Sequence, residues 1–307
     1  MVDEQARSDF ERARQKAFFN ELLSHFNRRP NDLMSFQEVR SRFKPEGESY
    51  RGMQEVPIRK IIGSSDRFRD FDRAFLPRHA HSGGRWMNID KAFHTDVRLP
   101  PVQLYKVGDV YFVKDGNHRV SVARERGIEF VDAEVIESHV RVPINASMTP
   151  FALLMQVEYA EFLRLTNLDR LRPEHDIRPS KLGRYDEMWD HILLKQLELS
   201  EQAGHDIPIA EAVAHWYDDV YSPVVRLARE RGILQRFSGR TEADIYLWVM
   251  AHREDLMQRD DHEVEPAEAA RDLVDELEES DSTSGLGRAK RVIRKLFDRD
   301  EDDDLEP

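Results

Sequence analysis

Between Gln103 and Glu137 the spacing of apolar residues changes period twice. Leu104, Val107 and Val110 recur between polar positions, Tyr111, Phe112 and Val113 run together, and Gly108-Asp109 stands in the middle, which predicts two short strands joined by a tight hairpin. After Gly116 the period lengthens. Val120 and Ala123 fall at helical spacing, Gly127 offers a C-terminal stop, and Phe130 to Ile136 returns to strand alternation. The expected order is strand, polar turn, helix, strand, with Asp115-Gly116-Asn117-His118-Arg119 at the junction of the second strand and the helix.

Upstream, residues 4–27 place Phe10, Ala13, Ala17, Phe18, Leu22, Leu23 and Phe26 at three- and four-residue steps, the pattern of an amphipathic helix whose stripe reads as core. Ser35-Phe36-Gln37-Glu38 has capping-box spacing and opens a short helix through Phe43. Lys44 to Arg51, with Pro45 and Gly47, reads as a linker. Val56 to Ile62 reads as an apolar strand followed by a polar loop, Gly63 to Arg69. From Phe75 to His94 the pattern is irregular. Its histidines, His79, His81 and His94, lack zinc-ligand spacing, so an ordinary surface loop competes with a lid hinged at Gly83-Gly84 that carries Arg78, Arg85 and Lys91.

Beyond Thr149-Pro150, a cap followed by proline at a helix start, the chain is helical in character. Expected helices cover Phe151 to Leu165; Glu187 to Ala203, with Trp189, Ile192, Leu193 and Leu197 inward; Pro208 to Tyr221; a fourth started by Ser222-Pro223; and a fifth capped at Thr241 with Ile245, Trp248, Val249 and Leu256 as its stripe. The domain reading is a helical extension over 1–45, a small mixed-sheet domain over 46–148, a helical domain over 149–260 and a disordered acidic tail over 261–307. That tail contains a basic amphipathic patch from Arg288 to Phe297. The fold class is α+β.

Charge sharpens the division. The net charge is −13, yet the residues from Asp260 onward carry 18 acidic and seven basic side chains, leaving only −2 for everything before them. From Arg51 to Arg141 there are 16 basic and 13 acidic residues. That mild excess suits a polyphosphate guest and falls well short of the basic footprint of a duplex-DNA reader. No apolar run reaches membrane-spanning length and the first residues lack a signal-peptide core, so the expected compartment is the cytoplasm. With no cysteine, disulfides, thiolate metal sites and thiol catalysis are excluded.

The junction at Gly116 is where chemistry concentrates. A helix start presents unpaired N–H groups and a partial positive charge, glycine lets a ligand approach the backbone, and His118 and Arg119 add donors, so phosphate is the natural guest. The alternative is local: Asp115 or Asn117 caps the helix and Arg119 pairs with a carboxylate. A second polar loop, His175 to Asp186, offers His175 and Asp176 as a general base, or simply caps and surface ion pairs.

The segment LYKVGDVYFVKDGNHRVSVARERG resembles the nucleotide-binding segment of the ParB/sulfiredoxin superfamily, in which a hairpin leads into a Gly-x-x-Arg turn and a helix ending at glycine. VPIRKIIGSSDRFRDF resembles the first box of the ParB N-terminal domain, so the likeness spans about residues 50–142. It implies a ParB/sulfiredoxin-like sheet domain, a nucleoside triphosphate (CTP or ATP) with Mg²⁺, and binding roles for Gly116, Asn117, His118 and Arg119 together with Ser64, Ser65, Arg67 and Arg69. Asn117 stands where sulfiredoxins carry their catalytic cysteine, which excludes sulfinic acid reduction. The function implied is a nucleotide-gated binding or regulatory protein whose partner is DNA, a protein or a second copy. A nucleotide hydrolase or phosphotransferase is the alternative. No helix-turn-helix of the kind partition proteins use to read DNA is evident.

Overall fold

The computed structural model describes residues 1–27, 31–45, 47–95, 97–260 and 262–282. The chain is α+β and divides into two units, Met1–Arg164 and a second beginning at Leu165. The first unit opens with α1 (Val2–Asn27), β1 (Met34–Ser35), α2 (Phe36–Ser41), β2 (Glu48–Pro57) and β3 (Ile61–Ser64). It continues through α3 (Gly83–His94), β4 (Val102–Val107), β5 (Val110–Asp115), α4 (Asn117–Glu125), β6 (Phe130–Ser138) and α5 (Pro150–Thr166).

Among the described residues, six strands form one mixed sheet in the order β1-β3-β5-β4-β6-β2. The expected hairpin is β4–β5, antiparallel, with β3 parallel on the far side of β5 and β6 parallel beside β4. A strand enclosed by neighbours and covered on both faces is apolar throughout rather than alternating. That is why Val110, Tyr111, Phe112 and Val113 are consecutive and buried. Leu33, Ile61, Phe71, Phe75, Leu104 and Val120 belong to the main core cluster. A second cluster joins three helices: Phe10, Ala13 and Ala17 of α1 meet Trp86 of α3 and Val122 of α4.

Several expectations change. The linker read over Lys44–Arg51 is strand from Glu48 onward, because β2 pairs along its length with β6, adding the Arg51–Glu137 ion pair at 2.6 Å. Its polar residues suit a sheet edge, and only pairing with a distant segment makes it a strand. The strand read over Val56–Ile62 is instead the end of β2, a 3₁₀ turn at Ile58–Lys60 and the start of β3. The irregular stretch before His94 ends in α3, which is anchored rather than hinged. Trp86 is fully buried and its Nε1–H donates to Ser121 Oγ at 2.9 Å. A Cβ on Gly83 would stand 2.8 Å from the Phe10 ring, so that glycine serves close helix packing. On α1 the stripe is core only as far as Ala17, since Phe18, Leu22 and Leu23 are exposed while Phe10, Ala13 and Ala17 are buried. The two units divide between Arg164 and Leu165. Glu158 and Glu161 of α5 bond Arg42 and the Lys44 amide, tying that helix to the first unit.

The second unit contains α6 (Leu168–Leu171), α7 (Arg184–Ala203), α8 (Ile209–His215), α9 (Ser222–Glu230), α10 (Glu242–Asp260) and α11 (Pro266–Ser282). Ser222-Pro223 does not break the chain; a π-helical stretch, Trp216–Tyr221, carries α8 into α9. Leu193 and Leu197 of α7 are exposed, whereas Met188 and Ile192 are inward. The disordered tail expected from residue 261 begins with a packed helix instead. Ala269, Ala270, Leu273 and Val274 of α11 are buried, because acidic residues occupy its outer positions and the apolar ones share an inner face. Residues 283–307, including the basic patch from Arg288 to Phe297, lie outside the described residues.

Candidate functional site

At the end of β5 the chain turns through Gly116, with φ 107° and ψ 24°, directly into α4. A Cβ there would lie 2.8 Å from Val102 Cγ1 and 3.0 Å from the Arg119 guanidinium carbon, so both backbone conformation and space demand glycine. The first intrahelical bond runs from Val120 N–H to Gly116 C=O at 3.0 Å, which leaves the amides of Asn117, His118 and Arg119 ahead of the helical ladder. A cleft of about 430 Å³ opens at this helix start. Its walls carry Arg67, Arg85 and Lys114 around Asn117 and His118, with Asp66 and Asp115 at the same mouth.

The two buried residues at the cleft have unmet hydrogen-bonding capacity. Asn117 donates through Nδ2 to the Asp66 carbonyl at 3.4 Å, while its Oδ1 has no partner. His118 is 7% exposed, packs edge-on against Phe71 with ring centroids 5.2 Å apart, and leaves Nε2 buried without a partner. Burial, reinforced by the Arg67 and Arg85 charges, pushes the His118 imidazole down to about 4, so it is neutral near pH 7. A buried polar atom left unmet is costly, and two at one helix start mark a place where an outside group fits.

The remaining sequence-nominated residues divide. Arg67 reaches the cleft from a left-handed backbone position, φ 52°, with Nε 4.0 Å from Asp70. Arg69 lies over the Phe68 ring instead. Ser64 and Ser65 are buried and their hydroxyls donate to the Val113 carbonyl, holding β3 against β5. Arg119 lines the cleft, but its guanidinium bonds the Pro100 and Pro101 carbonyls at 2.7 and 2.6 Å and the Asp115 carboxylate. It clamps the Leu99–Pro101 segment to α4. Of the cations expected on a lid, Arg85 reaches the cleft, whereas Arg78 pairs with Asp32 and Lys91 with Asp3.

Lys114 and Asn88 were not singled out by sequence reasoning. Lys114 had a legible signal, a cation near the end of a buried strand just before the turn. Asn88 had none, because α3 is concealed behind Gly83-Gly84. In the second unit, His175 Nδ1–H donates to the Arg172 carbonyl at 2.8 Å and the exposed Asp176 lies 4.0 Å from Arg178. Ser180 there accepts from Arg240, and its amide donates to Asp244, the residue that also closes the cap of α10 with Thr241. Asp9, Asp90 and His94 also bring their ligand atoms within 4.8 Å of one another in the first unit, but Arg12 and Arg126 already supply cations to the two carboxylates. No protein-family model matches this chain, and no curated protein matches it in sequence.

Proposed function

We propose that this chain is a nucleoside triphosphate-binding protein of the ParB/sulfiredoxin kind, taking ATP or CTP with Mg²⁺. Occupancy of its cleft would alter engagement of a protein, DNA or a second copy. The observation that carries this reading is the convergence of Arg67, Arg85 and Lys114 on the start of α4, where Asn117 Oδ1 and His118 Nε2 are buried without partners. Three cations lining the cleft and a helix dipole give a phosphate chain its charge complement. Neutral His118, protonated on Nε2, supplies a donor without needing a second positive charge in a buried place. Asn117 Oδ1 is an acceptor and calls for a hydroxyl or a metal-bound water. Asp66, exposed on the cleft wall, is the carboxylate that would take phosphate-bound Mg²⁺.

Binding is preferred over hydrolysis or phosphoryl transfer. A histidine held near 4 is a poor base at neutral pH, and Asp115 is engaged by Arg119. His175 and Asp176 belong to the second unit and have the local partners already described. Titration calorimetry and melting curves with ATP, CTP and GTP, with and without Mg²⁺, test the reading. One nucleotide should raise the melting temperature without turnover, and Arg85→Ala should weaken it about tenfold, the value of one lost charge-assisted contact. Absence of any nucleotide response, or one indifferent to both Arg85→Ala and Lys114→Ala, rejects it.

A further inference from the structure

Helix α7 turns an apolar stripe outward. Leu193, Leu194 and Leu197 are 39%, 63% and 58% exposed, on the side of the helix away from the buried Met188 and Ile192. Acids bracket them: Asp186 and Asp190 precede the leucines on the exposed face, and Glu198 and Glu201 follow. Lys195 pairs with Glu198 at 3.0 Å, while among the described residues Asp190 and Glu201 have no cation partner. Adjacent leucines left in water with a charged rim are a feature of interaction surfaces.

The chain itself holds the complement. Between Arg288 and Phe297 the sequence has five basic residues and no acidic one, and Val292, Ile293 and Leu296 repeat the i, i+1, i+4 spacing of the α7 leucines. The link to this segment starts near α7. Helix α11 returns along α10, where His252 Nε2 meets Asp272 at 2.7 Å, so that its end at Ser282 lies back toward the turn carrying Tyr246. The Tyr246 hydroxyl is 3.0 Å from His191 Nδ1 of α7. Residues 283–287 then supply up to about 20 Å of chain, nearly twice a helix diameter.

We infer that the segment from Arg288 to Phe297 docks on the Leu193–Leu197 face of α7 in the same chain, its apolar side chains against the leucines and its cations toward the acids at either end. Covalent linkage makes the encounter intramolecular, so a modest contact suffices to hold it. Opposite charges at both ends of the stripe set the register. A second exposed apolar stretch, Phe18, Phe19, Leu22 and Leu23 of α1, follows Arg12, Arg14 and Lys16 and would set cations against cations.

Trypsin cleavage of the full chain after Lys290 and Lys295, followed by mass spectrometry, reads the contact, because a docked segment is cut only when it opens. Leu194→Asp combined with Leu197→Asp should speed cleavage at both sites about tenfold, and Asp190→Lys combined with Glu201→Lys should do the same by charge alone. Both pairs change exposed side chains; if circular dichroism shows one pair misfolded, the other decides. The parent rate should be unchanged by about tenfold dilution of the protein, as a contact within one chain requires. A cleavage rate that either folded pair leaves at the parent value overturns the inference. Protection that is lost on dilution also overturns it, and gives the face to the same segment of a second copy.

Discussion

Arg119 and Arg85 show how two arginines near one cleft carry different burdens. The Arg119 guanidinium is mostly buried and bonds two carbonyls and a carboxylate, whereas Arg85 is exposed on α3. Arg119→Ala should therefore cost the ligand-free chain about 2 kcal/mol in urea unfolding, and Arg85→Ala less than about 0.5 kcal/mol; equal costs would contradict this division. His118, buried, and His191, half-buried, set the acid response. His118 and His191 both lie at about 4 in the folded chain, against about 6.5 unfolded. As pH falls, the unfolded state takes up protons first. The stability tied to neutral imidazole is complete above about pH 6.5 and drains away toward pH 4. The urea midpoint should drop between pH 7 and 5, and His118→Gln and His191→Gln should each flatten part of that slope.

At the scale of elements, α3 determines whether the cleft exists. Trp86 joins α1 and α4 through the Phe10 and Val122 cluster and the bond to Ser121, and its neighbour Arg85 faces the cleft. Trp86→Phe keeps most of the apolar volume and removes the indole donor. It should cost about 1–2 kcal/mol and weaken phosphate binding by loosening the helix that carries Arg85. A variant as stable as the parent, with unchanged binding, would show that α3 is not positioned this way. The sequence around α3 reads as irregular because Gly83-Gly84 and its flanking histidines suggest a loop. The glycine is there because Phe10, from a helix more than seventy residues earlier, occupies the space a side chain would need. Strand β2 is concealed for the same reason, its pairing with β6 being distant in sequence.

For the whole molecule, charge bounds the partners. A net −13, of which −11 lies from Asp260 onward, and an excess of only three basic residues between Arg51 and Arg141 argue against duplex DNA as the primary partner. Gel shifts on duplex DNA at physiological salt should show no retardation at micromolar protein in the absence of nucleotide. Strong, salt-sensitive retardation would make DNA the primary partner and displace the small-ligand reading.

Local chemistry in the sequence by itself determined the strand–glycine–helix junction at Gly116, the hairpin before it and the capped starts at Ser35 and Thr241, because each depends on residues a few positions apart. The tertiary structure alone decided which cations meet at α4, that Ser64 and Ser65 brace strands, that Arg119 is spent on Pro100 and Pro101, and that α11 packs despite its acidity. Those outcomes turn on surfaces brought together from separated segments, and burial and charge at such meetings have no signature in a linear pattern of residues.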